Sequence, residues 1–168
     1  MCLNYYNRKV NRPKTPEPDE HSLQLLAAIH SGNVQRLRAS LGDLDLNARI
    51  SGKIPSHQTD SLFNMTPLCH CIYHEKSPHR ADMARVLLEN GADVNNTKLV
   101  GTTALHLAAG RMGDLELVKL LVDAGAALNA VDDDGMGALK LATEQSYYKG
   151  REIVDYLAAK GATLYGGR

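Results

Sequence analysis

No run of about eighteen consecutive apolar residues occurs anywhere in this 168-residue chain, so the sequence carries no candidate membrane-spanning helix. Its opening stretch, "MCLNYYNRKVNRP", lacks the apolar segment of a secretion signal. Net charge is missing as well. The 19 basic side chains balance 19 acidic ones, which leaves no overall attraction to nucleic acid or to an anionic membrane. Cysteine is scarce: three thiols, two of them one residue apart, do not make a disulfide framework and suit a reducing compartment. The expectation is a soluble, intracellular protein of about one domain's length, cytoplasmic or nuclear.

Catalytic signatures are equally thin. The stretch "GAALNAVDDDG" has the wrong spacing for a phosphate-binding loop and no lysine after its last glycine. No serine occupies a G-x-S-x-G turn. Asp132, Asp133, Asp134 and Gly135 resemble a fragment of a calcium loop, but the spaced carboxylates and the closing glutamate are absent. No catalytic residue, cofactor site or metal site is therefore assigned.

What the chain does have is repetition. "TPLCHCIY" at Thr66 is echoed by "TALHLAAG" at Thr103, by "GALKLATE" at Gly137 and more loosely by "LQLLAAIHSG" at Leu23. Each copy is followed by a second amphipathic run, such as "MARVLLENGADVN" or "LELVKLLVDAGAALN". The steps of 37 and 34 residues between the later copies lie just above a 33-residue period. Thr66 and Thr103 stand where side-chain oxygens can cap a first helix, and Pro67 occupies the first helical position. Leu117, Val118, Leu120 and Leu121 give the second helix a broad apolar stripe. Gly91, Gly125 and Gly161 follow the second helices, where glycine closes a helix at little cost. A helix-turn-helix unit of this kind cannot bury its own apolar face, so its stability comes from stacking.

The motif T-P-L-H-x-A-A, followed by G-x-x-E-x-V-x-x-L-L-x-x-G-A-D-x-N, resembles the ankyrin repeat. Asn47, Asn95 and Asn129 keep the asparagine that ends each unit. The resemblance implies an all-α solenoid of about four stacked repeats with β-turn or hairpin connectors. It places an ankyrin-repeat domain at 21–168, and the composition of residues 1–20 predicts a disordered N-terminal arm before it. The repeats fall at about 21–48, 65–96, 101–130 and 135–165, with an insertion at 49–64. The arm carries three prolines, a switch from basic to acidic, and Thr15 before Pro16 as a phosphorylation candidate. The resemblance further implies that Asn95 and Asn129 match a position that an asparaginyl hydroxylase modifies.

Three expansions fall in turns, where repeats tolerate extra residues and often bind. The first, "ARISGKIPSHQTDSLFNM", carries Ile54, Leu62 and Phe63, the only phenylalanine; the others are "EKSPHR" and "QSYYKG". The first either covers repeat one or presents an anchor to a partner. In the second helix-turn-helix unit, two cysteines and three histidines crowd residues 66–79. Cys69 and Cys71 point about 200° apart on a helix, so they read as small core residues. His70 and His74 share one face at i, i+4, so a metal-binding accessory, with Cys71 or His79 as third ligand, is the minor alternative. His106 is expected to hold its repeat's turn.

The resemblance implies protein binding through the concave face and connector tips, as adaptor, scaffold or inhibitor. A pathogen effector or a subunit of a larger assembly is the alternative. Expected partner-binding residues are Thr97, Lys98, Leu99 and Val100 at one tip, Val131, Asp132, Asp133 and Met136 at the next, Tyr73, His74, Arg111 and Met112 on the inner helices, and Tyr147 in the last expansion. The protein is expected to be a monomer that binds neither nucleic acid nor membrane.

Overall fold

A computed structural model describes residues 19–50, 65–73, 78–97, 101–144 and 150–164, without the side chain of Arg111. These residues form paired helices: α1 (Glu20–Ser31) with α2 (Val34–Ser40), and α3 (Pro67–Tyr73) with α4 (Arg80–Glu89). Next come α5 (Ala104–His106), which runs on into a π-helical turn (Leu107–Met112), and its mate α6 (Leu115–Asp123). The last pair is α7 (Ala138–Glu144) and α8 (Gly150–Ala159). Odd-numbered helices pack on one another in one layer and even-numbered helices in a second, with one apolar core running through the stack. This is the expected all-α ankyrin solenoid. No helix among the described residues is long and apolar enough to cross a membrane.

Local chemistry starts and stops these helices. Asp19 accepts the Ser22 amide at 2.7 Å, Asn33 that of Arg36 at 2.9 Å and Asp114 that of Leu117 at 3.1 Å. Thr66 and Thr103 cap as expected, each accepting the amide three residues on. Gly91, Gly125 and Gly161 have φ near +90° and open space where a Cβ would stand. At these three positions backbone conformation, and not crowding, requires glycine.

The π turn was not expected from the motif. In repeat one, the buried pair Ala28–Ile29 is followed by Gly32, whereas in repeat three the pair Ala108–Ala109 is followed by Gly113, one residue later. An α-helix can absorb an inserted residue only by rotating everything beyond it by about 100°. A single π turn loops the extra residue out and keeps both ends in register. The bond from the Gly113 amide to the Ala108 carbonyl, 3.1 Å long, closes it. One residue more than the 33-residue period is also the step from Thr103 to Gly137, which is 34.

Gly110 sits inside this turn and is required for a reason opposite to that of the loop glycines. A Cβ there would lie 2.8 Å from Cβ of Leu141 on α7, so the two helices touch with no room for a methyl group. On the outer layer, Arg80 at the start of α4 pairs with Asp114, the cap of α6, at 3.5 Å. Lys119 and Lys160 flank the ring of Tyr156 at 5.8 and 5.6 Å.

Candidate functional site

The connectors form an edge whose register is set by three asparagines. Oδ1 of Asn47 accepts the Asp93 amide at 2.7 Å while its Nδ2 donates to the Gly91 carbonyl at 3.2 Å. Asn95 repeats this toward Ala127 (2.8 Å) and Gly125 (3.1 Å), and Asn129 toward Thr163 (2.7 Å) and Gly161 (3.4 Å). Each side chain therefore satisfies one amide and one carbonyl of the following repeat's helix-ending loop. A glutamine or aspartate could not do so with the same reach and both polarities. The carboxylates of Asp45 and Asp93 accept the amides of Asn47 and Asn95, at 2.9 and 2.8 Å, and hold the first two rungs in place.

Neighbouring connectors are also tied laterally. Asn96 donates to the Asn47 carbonyl at 2.9 Å, and Arg49 donates to the Thr97 hydroxyl at 3.4 Å. Gly101, with φ +71°, abuts the next connector so closely that a Cβ would stand 3.0 Å from an Asp133 carboxylate oxygen. Two of these connectors have antiparallel bridges at their roots, Ile50 to Met65 and Val131 to Gly137. We refer to them as the first and the last finger.

Inside the last finger, Asp132 departs from its expected role as a surface contact. It is only 6% exposed, and its carboxylate accepts the amides of Asp134 (3.1 Å) and Met136 (2.8 Å), which folds the tip. This is the habit of aspartate in turns, and it turns the side chain away from solvent. Val131, at 43% exposure, and Asp133 face outward, while Met136 and Thr97 are half-buried. Tyr73 and Met112 are half-buried at the C-terminal ends of the first helices of repeats two and three. The backbone of Arg111 lies in the π turn. His74, Lys98, Leu99, Val100, Tyr147 and the insertion's Ile54, Leu62 and Phe63 lie outside the described residues.

His106 does more than hold its own turn. Its Nδ1 accepts the Thr103 amide at 3.1 Å and lies 2.7 Å from the Thr103 hydroxyl, completing a reciprocal cap. With Nδ1 an acceptor, the ring proton is on Nε2, which donates to the Met136 carbonyl in the last finger at 3.0 Å. One imidazole thus joins a helix start to the finger of the next repeat, and burial holds its pKa below the ordinary 6.5. In acid the unfolded chain takes up this proton near pH 6.5, while the folded chain resists it to lower pH. His106 therefore makes stability fall as pH drops below about 6.5, with no loss above it. Chemical unfolding midpoints measured at steps from pH 7.5 to 5.5 should fall more steeply for the native chain than for a His106→Gln variant.

Of the crowded cysteines and histidines, Cys69, Cys71 and His70 resolve into core, while His79 is exposed. Cys69 and Cys71 are buried. Burial pushes the Cys71 thiol up to about 12, and its Sγ donates to the Arg80 carbonyl at 3.5 Å. His70 is 7% exposed, with Nε2 against the Ile50 carbonyl, and His79 lies 3.7 Å from Asp82. Among the described residues no group of three His, Cys, Asp or Glu side chains could hold a metal ion. A thiolate is the reactive form, so a Cys2→Ser variant should show no reaction with a disulfide reagent while folded. The two remaining thiols should react once the chain is unfolded in denaturant.

Sequence reasoning located the asparagines but not their partners, and it missed Gly110 altogether. The displaced glycine after Ala108–Ala109 is the signal that could have revealed the π turn. Comparison with known proteins places this geometry in context. The family model described as ankyrin repeats, in three copies, matches residues 80–165. Chicken (Gallus gallus) inversin is 33% identical over 119 residues, covering 71% of this chain and 10% of inversin. Dog (Canis lupus familiaris) inversin is 38% identical over a stretch of the same length and the same coverage. The mouse (Mus musculus) B-cell lymphoma 3 protein homolog is 32% identical over 102 residues, 61% of this chain and 20% of that protein. The chain thus spans about a tenth of the length of the inversins it matches.

Proposed function

This chain belongs to the ankyrin repeat family, and from that premise we propose that it is a non-catalytic protein-binding module acting as adaptor, scaffold or inhibitor. Ankyrin repeats generally serve protein–protein interaction, although the fold alone does not name the partner. The observation that carries the reading is the connector edge. Its backbone polar groups are tied across repeats by Asn47, Asn95 and Asn129, while Val131, an apolar residue, and Asp133 remain presented outward on the last finger. A surface whose geometry is set before binding loses little conformational freedom on association.

The binding face comprises the last finger with Thr97 on the connector before it, extended along the inner helices to Tyr73 and Met112. Lys98, Leu99, Val100, His74, Arg111 and Tyr147 complete it. Asp132 supports the face from within. The module is a monomer working in the cytoplasm or nucleus on a protein partner. A role as pathogen effector or as a subunit of a larger assembly would use the same face.

The test is affinity capture from cell lysate with three proteins: the native chain, a finger variant (Val131→Glu, Asp133→Lys) and an outer-layer variant (Arg85→Glu, Glu116→Lys). Circular dichroism first establishes that all three are folded. A protein retained by the native and outer-layer forms but lost from the finger variant supports the reading. Loss from the outer-layer variant alone transfers the binding face to the even-numbered helices.

A further inference from the structure

His70 is not the motif histidine of its repeat, since Cys69 holds that position. Aligned on the buried pairs Cys71–Ile72 and Ala108–Ala109, His70 stands where repeat three has Leu107, a core residue. An imidazole at an apolar core position needs a partner for its N–H, because a buried unsatisfied donor is costly. His70 has one in the Ile50 carbonyl, 3.3 Å from its Nε2. Ile50 is one side of the bridge at the root of the first finger: its amide donates to Met65 at 2.8 Å and its carbonyl accepts from Met65 at 3.3 Å.

Among the described residues the structure has two isolated antiparallel bridges, and an imidazole reaches the root of each. His106 reaches forward from repeat three to Met136, beside the Val131–Gly137 bridge, whereas His70 reaches back from repeat two to Ile50 itself. The sulfur of Cys69 is too weak a hydrogen-bonding group to replace the motif histidine. We propose that His70 is a positioning residue that latches the root of the first finger, the Ile50–Met65 bridge, onto α3. The latch stands apart from the binding face proposed above.

Two measurements test it on the full chain. Nitrogen NMR of the native protein at pH 8 should show His70 as the neutral tautomer protonated on Nε2, and protonation on Nδ1 instead would overturn the latch. Native-state amide exchange then compares His70→Leu, which keeps apolar volume, with His70→Gln, which keeps a donor. In the leucine variant the Ile50 and Met65 amides should exchange about two- to tenfold faster, the loss of one net hydrogen bond. The Leu87 amide in α4 and the Asp132 amide in the last finger should be unchanged, and glutamine should restore slow exchange. Unchanged exchange at Ile50 and Met65, or equal acceleration throughout, would refute the proposal. If the leucine variant does not fold, the tautomer decides.

Discussion

Gly110→Val should destabilise the protein by about 3 kcal/mol, the upper part of the range for overpacking a close contact, and lower its thermal midpoint by roughly 6–12 °C. The clash is with Leu141 Cβ at 2.8 Å, an atom fixed to the backbone of α7, so no side-chain rotation relieves it. Gly110→Ala is the sharper test of sign. Alanine is favoured over glycine in a helix by about 1 kcal/mol, so a net loss of stability would mean that the lost close approach outweighs the gained propensity. In a stack held by neighbour contacts, a wedge between the π turn and α7 should loosen repeat four first. Amides of α7 and α8 should then lose exchange protection at lower denaturant than those of α3 and α4. A Gly110→Val protein as stable as the native chain would show that the helices can separate at this point without cost.

His106→Ala should cost about 3 kcal/mol as well, by a different route. It removes the acceptor of the Thr103 amide and one of the two donors to the Met136 carbonyl, which keeps only the Asp132 amide, and it opens a cavity where a buried ring had been. Equilibrium unfolding in urea measures the loss, and exchange at the Asp132 amide, which donates to Met136 at 3.1 Å, reports on the finger. If His106 served only its own helix start, stability would fall while Asp132 exchange kept pace with the rest of the chain. Preferential exposure of Asp132 is expected, because the imidazole joins repeat three to the last finger.

Comparison of particular positions shows how far local reading reaches. Thr103 followed by an apolar run reads as a helix start, and its hydroxyl does accept the His106 amide. Gly125 reads as a helix stop, and its φ of +88° makes it one. The resemblance made Asp132 a surface contact because it stands at a connector tip, yet that tip folds around its carboxylate. Local reading allowed His70 to face a metal, yet the side chain is buried against a carbonyl twenty residues earlier.

The order of helices, their caps, the repeat period and the family were legible in the sequence by itself, because each rests on interactions within a few residues or on a pattern repeated along the chain. Tertiary structure alone decided that Asn95 spans to Gly125 and Ala127, that His106 reaches Met136, that Gly110 must lie bare against Leu141 and that an extra residue is carried as a π turn. The three cross-repeat contacts join residues about thirty apart, and the π turn keeps register between repeats. They exist only once repeats stack, when the distance between two helix layers determines which side chain fits and which polar group finds its partner.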